Sequence, residues 1–91
     1  MEFEWDEAKA DANLAKHGID FVDAMLAFEG PMLVQTSPRS GVPRKFGLGI
    51  CHGLIVAIVF VERGGRVRLI SARRARTYER EAWHDRFAQG S

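Results

Sequence analysis

Arg44-Lys45-Phe46-Gly47-Leu48-Gly49-Ile50-Cys51-His52-Gly53-Leu54-Ile55-Val56-Ala57-Ile58-Val59-Phe60-Val61 is the stretch that decides the fold. Phe46, Leu48 and Ile50 recur at period two, the mark of a strand with one buried face, which predicts a strand over Arg44 to Cys51. His52-Gly53 is a two-residue hairpin signal. Leu54 to Val61 is apolar without a break and far too short to span a bilayer, which needs about 20 residues. An apolar run of this length is a strand covered on both faces, so it belongs at the centre of a sheet.

Outward from this hairpin, Arg63-Gly64-Gly65 turns the chain again, and Arg66 to Ser71 alternates as a further strand with Arg66 and Arg68 on one face. Met32 to Gln35 reads as a short strand, and Ser37 to Pro43 as a loop by its Pro, Gly and Ser content. Short connections make the pairing antiparallel. Toward the N-terminus the period changes to that of helices. Asp6 can cap a helix over Glu7 to Lys16, with Gly18 placed to end it and Ala8, Ala12, Ala15 and Ile19 forming its apolar stripe. Asp20 can cap a second helix, Phe21 to Phe28, closed by Gly30-Pro31. A last helix covers Arg76 to Phe87, with Tyr78 and Ala82, and Trp83 or Phe87, turned inward. The expectation is one α+β domain over residues 1–91: two N-terminal helices, a four-stranded antiparallel sheet and a C-terminal helix, in the order α-α-β-β-β-β-α.

Composition narrows the class. Hydrophobic residues make 46% and charged residues 27% of the chain, enough apolar surface to offset chain entropy. The single cysteine, Cys51, excludes an internal disulfide and a cysteine-based zinc site and suggests a reducing compartment. No two histidines stand at ligand spacing on one helix, so no metal site and no cofactor is expected. The acidic start, Glu2 to Asp6, is unlike a signal peptide, and the expectation is a cytoplasmic protein with no membrane contact. A net charge of +1 conceals a division, with −6 over residues 1–30 and +7 over residues 31–91. The basic part predicts a polyanion or an acidic partner.

Within that part, Arg63, Arg66, Arg68, Arg73, Arg74, Arg76 and Arg80 fall within 18 residues. Guanidinium matches phosphate with a planar fork, so the cluster suits nucleic acid, although arginines on the last helix can equally pair with Glu79 and Glu81. Arg73-Arg74 stands between a strand and a helix, at a sheet end where a site can form. His17, in Lys16-His17-Gly18, can exchange a proton near neutral pH or simply cap its helix. Glu62 closes the central strand beside Arg63, placed to orient arginines, to act as a base or simply to form a structural ion pair. Phosphate-loop, dinucleotide and nucleophile-elbow patterns are all missing.

Three groups of residues together carry a resemblance. Phe3-Glu4-Trp5-Asp6, Lys9-Ala10, Asn13 and Lys16-His17-Gly18-Ile19, with Phe21 and Ala24, form the first. Arg44 with Gly49 forms the second. Glu62-Arg63, Arg68, Ile70-Ser71-Ala72-Arg73-Arg74-Ala75 and Glu79-Arg80 form the third. From Phe3 to about Trp83 the chain resembles the BrnT family of bacterial type II toxins. It departs where that family often has Tyr four residues after the Glu of Glu79-Arg80, a position held here by Trp83.

The resemblance implies a RelE-like fold and a metal-independent endoribonuclease that arrests translation and growth. It also implies a cognate BrnA-like antitoxin, which would bind operator DNA through a ribbon-helix-helix domain. The residues suit that chemistry, since a 2′-hydroxyl attacking its neighbouring phosphate needs a proton acceptor, a proton donor and fixed positive charge. On this basis Arg68, Arg73 and Arg74 are assigned to the reacting phosphate, and His17 or Glu62 to proton transfer. Lys16, Arg44, Arg63 and Arg80 are assigned to further phosphate contacts. Two other readings use the same arginine face: a non-catalytic nucleic-acid-binding module, and a protein-interaction domain that pairs with an acidic partner.

Overall fold

A computed structural model describes residues 1–37 and 43–88, so most of the loop expected between Ser37 and Pro43 lies outside the described residues. The chain runs β1 (Glu2–Glu4), α1 (Glu7–His17), α2 (Phe21–Ala24), β2 (Leu33–Ser37), β3 (Arg44–Cys51), β4 (Leu54–Arg63), β5 (Arg66–Arg74) and α3 (Thr77–Phe87). The sheet order is β1-β5-β4-β3-β2, antiparallel from β5 to β2 and parallel between β1 and β5. The expected four-stranded antiparallel sheet is therefore a five-stranded mixed one. The strand that periodicity missed, β1, is three residues long, too short for an alternation to register, and it adds parallel because α1 follows it along the same edge. The second expected helix is a single α turn, α2, which tightens into a 3-10 segment over Met25–Glu29.

Local signals account for the helix ends. Asp6 Oδ1 accepts from the backbone N–H of Ala8 at 2.8 Å and of Lys9 at 3.2 Å, and Gly18 ends α1 in the left-handed region at φ 73°. The inward face of α1 is not the alanine stripe, however. Ala8, Ala12 and Ala15 are exposed, while Ala10 and Asn13 are buried. Alanine buries little apolar area, so its spacing is a weak guide to a face. Asn13 is turned inward because its amide has partners there.

The sheet separates two apolar layers. On one side Phe21, Ala24, Ala27, Val56, Ile58, Phe60, Val67 and Leu69 pack together, with Phe28 edge-on to both Phe3 and Phe60. On the other, Leu48, Ala57, Ala75 and Trp83 are buried beneath α3. β4 is covered on both faces along most of its length, as its unbroken apolar run requires. Trp83 and the half-buried Phe87 supply the inward side of α3, whereas Tyr78 and Ala82 are exposed, contrary to expectation. The Trp83 indole N–H donates to the Pro31 carbonyl at 3.3 Å, tying α3 to the entry of β2. Trp83 thus acts in the core.

Between Val59 and Phe60 the β4–β5 register shifts. Val59 faces Ser71, but Phe60 faces Leu69, so Ile70 is the extra residue of a bulge. This one residue governs which arginines share a face.

Candidate functional site

Strand register fixes the side chains on the α3 side of the sheet. Gln35, Phe46, Val59 and Ser71 make one row across four strands, and Leu33, Leu48, Ala57 and Arg73 make the next. Arg68 is opposite Val61, which alternates with Val59 and Ala57 and therefore faces the same way. Arg44 alternates with Phe46 and shares the face, and Arg63 and Arg66 pair at its far tip. The structure thus brings Arg44, Arg68 and Arg73 to one side of one sheet, with Arg63 at the end.

Arg73 is the most constrained of them. Its Nη1 and Nη2 donate to the two carboxylate oxygens of Glu79 at 2.8 and 2.9 Å, and its guanidinium lies 5.8 Å over the Phe46 ring. Glu79 is buried and also accepts from the Arg76 backbone N–H at 2.7 Å, so it locks the start of α3 to the end of β5. The Arg73 hydrogen bonds, with the Arg76 N–H and nearby positive charge, hold the Glu79 carboxyl below the usual carboxylate range against the opposing effect of burial. Arg73, Glu79, Phe46, Leu48, Gln35 and Tyr78 line a cavity of about 390 Å³ between α3 and the sheet.

The N-terminal acids prove to be partners of the basic strands. Glu2 lies 3.2 Å from Arg66, and Glu4 lies 3.0 Å from Arg68 and 3.7 Å from Arg66. Part of the charge division along the sequence is cancelled within the fold. Arg80 folds back onto its own helix start, donating to the Ala75 carbonyl at 2.7 Å and to Thr77 Oγ1 at 3.1 Å. Glu62 is on the opposite face of the sheet from Arg68, exposed, and 2.9 Å from Lys45 Nζ. Arg74 is opposite Val56 and so also belongs to that other face, at the exposed end of β5. Among the described residues no carboxylate pairs with Arg63 or Arg74.

Lys16 and His17 stand elsewhere again, at the edge of β5 left open beyond β1. There Asn13 does the work of a neighbouring strand. Its Oδ1 accepts from the Ala72 N–H at 3.0 Å, and its Nδ2 donates to the Ala72 carbonyl at 2.8 Å and to the Ile19 carbonyl at 3.0 Å. Beside it a shallow depression of about 240 Å³ is lined by Lys9, Lys16, His17, Ile70 and Ser71. Ser71 belongs to both places: its register puts it in the Phe46 row of the arginine face, and it also walls the depression that holds His17. The arginine face and the His17 edge therefore meet along β5.

Sequence reasoning overlooked Gln35, Phe46, Tyr78 and Glu79 as members of the site. Only Glu79 had a readable signal, three residues after Arg76, the residue just before α3, which is the spacing of a helix-capping carboxylate. Among the described residues, no three His, Cys, Asp or Glu side chains gather as a set of metal ligands. Nor is any helix among them long and apolar enough to cross a membrane.

Fold and site together define a small α+β protein with an arginine-lined sheet face behind a short C-terminal helix. The chain belongs to the family described as ribonuclease toxin, BrnT, of type II toxin-antitoxin system, whose model matches residues 5–79. That span takes in Lys16-His17-Gly18, Arg44, the bulge at Ile70 and the Arg73–Glu79 pair. No curated protein matches the chain. Membership carries, for the family, a ribonuclease activity on RNA and an antitoxin partner.

Proposed function

We propose that this chain is a metal-independent endoribonuclease whose reacting phosphate lies over Ser71, between Arg68 and Arg73, with His17 at the β5 edge moving the proton. The observation that carries the reading is the bulge at Ile70, which puts Arg68 and Arg73 on one face with Ser71 between them and His17 beside Ser71. The 2′-oxygen attacks the adjacent phosphorus and the 5′-oxygen leaves, so negative charge grows on the phosphoryl oxygens. Fixed guanidinium groups can stabilise that charge without a metal ion. Arg68 and Arg44 supply it directly, and Arg73, pinned by Glu79, supplies a donor that needs no reorganisation. His17 takes the proton role in preference to Glu62, because Glu62 faces the other side and is paired with Lys45. Lys16, Arg63 and Arg74 hold flanking phosphates, and all three are exposed.

The partner we propose is a BrnA-like antitoxin with a ribbon-helix-helix domain, which covers this face with an acidic segment and carries the toxin to operator DNA. Charge complementarity of this kind speeds association and weakens with salt. The test is incubation of the purified chain with single-stranded RNA in excess chelator. Cleavage leaving 2′,3′-cyclic phosphate ends, lost in Arg68→Ala, is expected. Cleavage that stops in chelator would overturn metal independence, and RNA binding without cleavage would make the chain a non-catalytic module.

A further inference from the structure

We infer that the cavity between α3 and the sheet takes one nucleobase of the RNA, and that Tyr78 and Gln35 determine which base it accepts. The inference rests on the reading of the chain as a ribonuclease, since it names a subsite next to the proposed phosphate position. At about 390 Å³ the cavity is at the small end of the ~300–1,000 Å³ range of small-molecule pockets, which suits one heterocycle better than a folded segment. Its lining alternates apolar surface with a few polar groups. Leu48 and Phe46 supply apolar lining, and the Arg73 guanidinium carbon lies 5.8 Å from the Phe46 ring centroid. Glu79 holds the Arg73 guanidinium through two hydrogen bonds, so this side of the cavity is fixed in place.

Two rim residues have no structural employment that explains them. Tyr78 is 64% exposed at the start of α3, and among the described residues its ring stacks on no other. Gln35 is exposed on β2, and its amide makes no hydrogen bond among the described residues. An exposed aromatic ring beside a group that can both donate and accept is what an unpaired base requires: a surface to stack on and a partner for its edge. Position agrees. Arg73 is shared between the phosphate site and the cavity, so a nucleotide with its phosphate over Ser71 can reach the cavity with its base. An acidic antitoxin segment would satisfy the arginines but has no use for an exposed aromatic ring beside a free amide, so RNA is the occupant favoured.

The experiment measures binding rather than cleavage. Uncleavable 2′-O-methyl octamers of A, C and U are titrated against the purified chain, with a linear octaphosphate as a polyanion lacking bases. One octamer is expected to bind best. Tyr78→Ala should weaken it about 5- to 150-fold, the range for loss of one stacked base, and leave octaphosphate binding unchanged. Tyr78→Phe should restore it, and Gln35→Ala should narrow the differences among the three octamers. Both residues are exposed, so circular dichroism should show all three variants folded. Equal binding of all octamers, or a Tyr78→Ala variant that binds them as the parent does, overturns the inference and leaves the cavity to a protein side chain. If RNA is cleaved but Tyr78→Ala changes nothing, the base subsite falls and the nuclease stands. If nothing is cleaved but Tyr78 still governs base preference, the nuclease falls and the subsite stands.

Discussion

Arg68 and Arg73 are five residues apart on β5 and yet rise from the same face of the sheet. In an uninterrupted strand an odd separation puts two side chains on opposite faces. Ile70 reverses this by standing as an extra residue between Leu69, opposite Phe60, and Ser71, opposite Val59. Beyond it Ala72 still points into the core and Arg73 outward to the cavity, while Arg74 goes to the far side. The site therefore depends on a residue that touches neither arginine's charge.

The edge that flanks this bulge is held by Asn13, so Asn13→Ala should be among the most damaging single substitutions in the chain. It strands the N–H and carbonyl of Ala72 and the carbonyl of Ile19 in a buried place. Unsatisfied buried groups cost about 1–3 kcal/mol each, and partial access of water should bring the total to about 3 kcal/mol. Urea unfolding measures it, and a loss under about 1 kcal/mol would mean that α1 does not depend on the clamp.

Glu79 should make the fold acid-sensitive. Its carboxyl is held below the ordinary value of about 4.3, first by hydrogen bonds from Arg73, so the folded state keeps it charged longer than the unfolded state does. Its stabilisation is fully present above the unfolded value and is lost as pH falls through the lower folded one. Glu79→Gln should cost about 2–3 kcal/mol at pH 7, the range for a charged hydrogen-bonded pair, with the gap from the parent closing on acidification. Unfolding curves of both proteins at pH 7 and pH 3 decide it. A constant gap would mean that the pair contributes through shape alone.

What was legible in the sequence follows from where its signal is long. The apolar run Leu54 to Val61 and the alternation from Arg44 to Cys51 placed two strands, because burial on one or both faces leaves a period that several residues repeat. β1 could not be read from three residues, and it brought Glu2 and Glu4 against Arg66 and Arg68, which cancels part of the charge division. The bulge at Ile70 was equally silent, since Ile is as ordinary in a regular strand as in an irregular one. The role of Asn13 was equally unreadable, because nothing local says that an amide will meet the backbone of a strand 59 residues away.

The glycine in the Arg44–Gly49 signature has a packing reason. A Cβ at Gly49 would come within 2.9 Å of the Ala27 carbonyl oxygen and 3.0 Å of the Ala27 Cβ, backbone and short side chain that have little room to yield. The 3-10 segment lies directly on β3 at this point. Gly49→Ala should therefore cost about 1–3 kcal/mol, as overpacking does, with the thermal midpoint falling accordingly. An unchanged midpoint would show that the segment can lift off the sheet without penalty.

Arg74 offers a separation of function from stability. It is exposed, and among the described residues no carboxylate pairs with it, so Arg74→Ala should change stability by less than about 0.5 kcal/mol. If it holds a flanking phosphate, expression of the variant without the antitoxin should permit growth that the parent arrests. Arrest equal to the parent, at equal soluble protein, would remove Arg74 from the RNA path.

His17 separates two roles in one variant. It ends α1, where a cationic side chain favours the helix C-terminus, and it also walls the depression beside Ser71. If it moves a proton, His17→Ala should slow RNA cleavage about 100-fold or more. Stability should then change by no more than the ~0.3–1 kcal/mol of a helix-end interaction. If it only caps the helix, that small loss of stability remains and the rate is untouched. His17→Lys sharpens the distinction, since it keeps a cation at the helix end but titrates far above neutrality. It should restore stability without restoring the rate, and a variant that recovers both would assign the proton to another group.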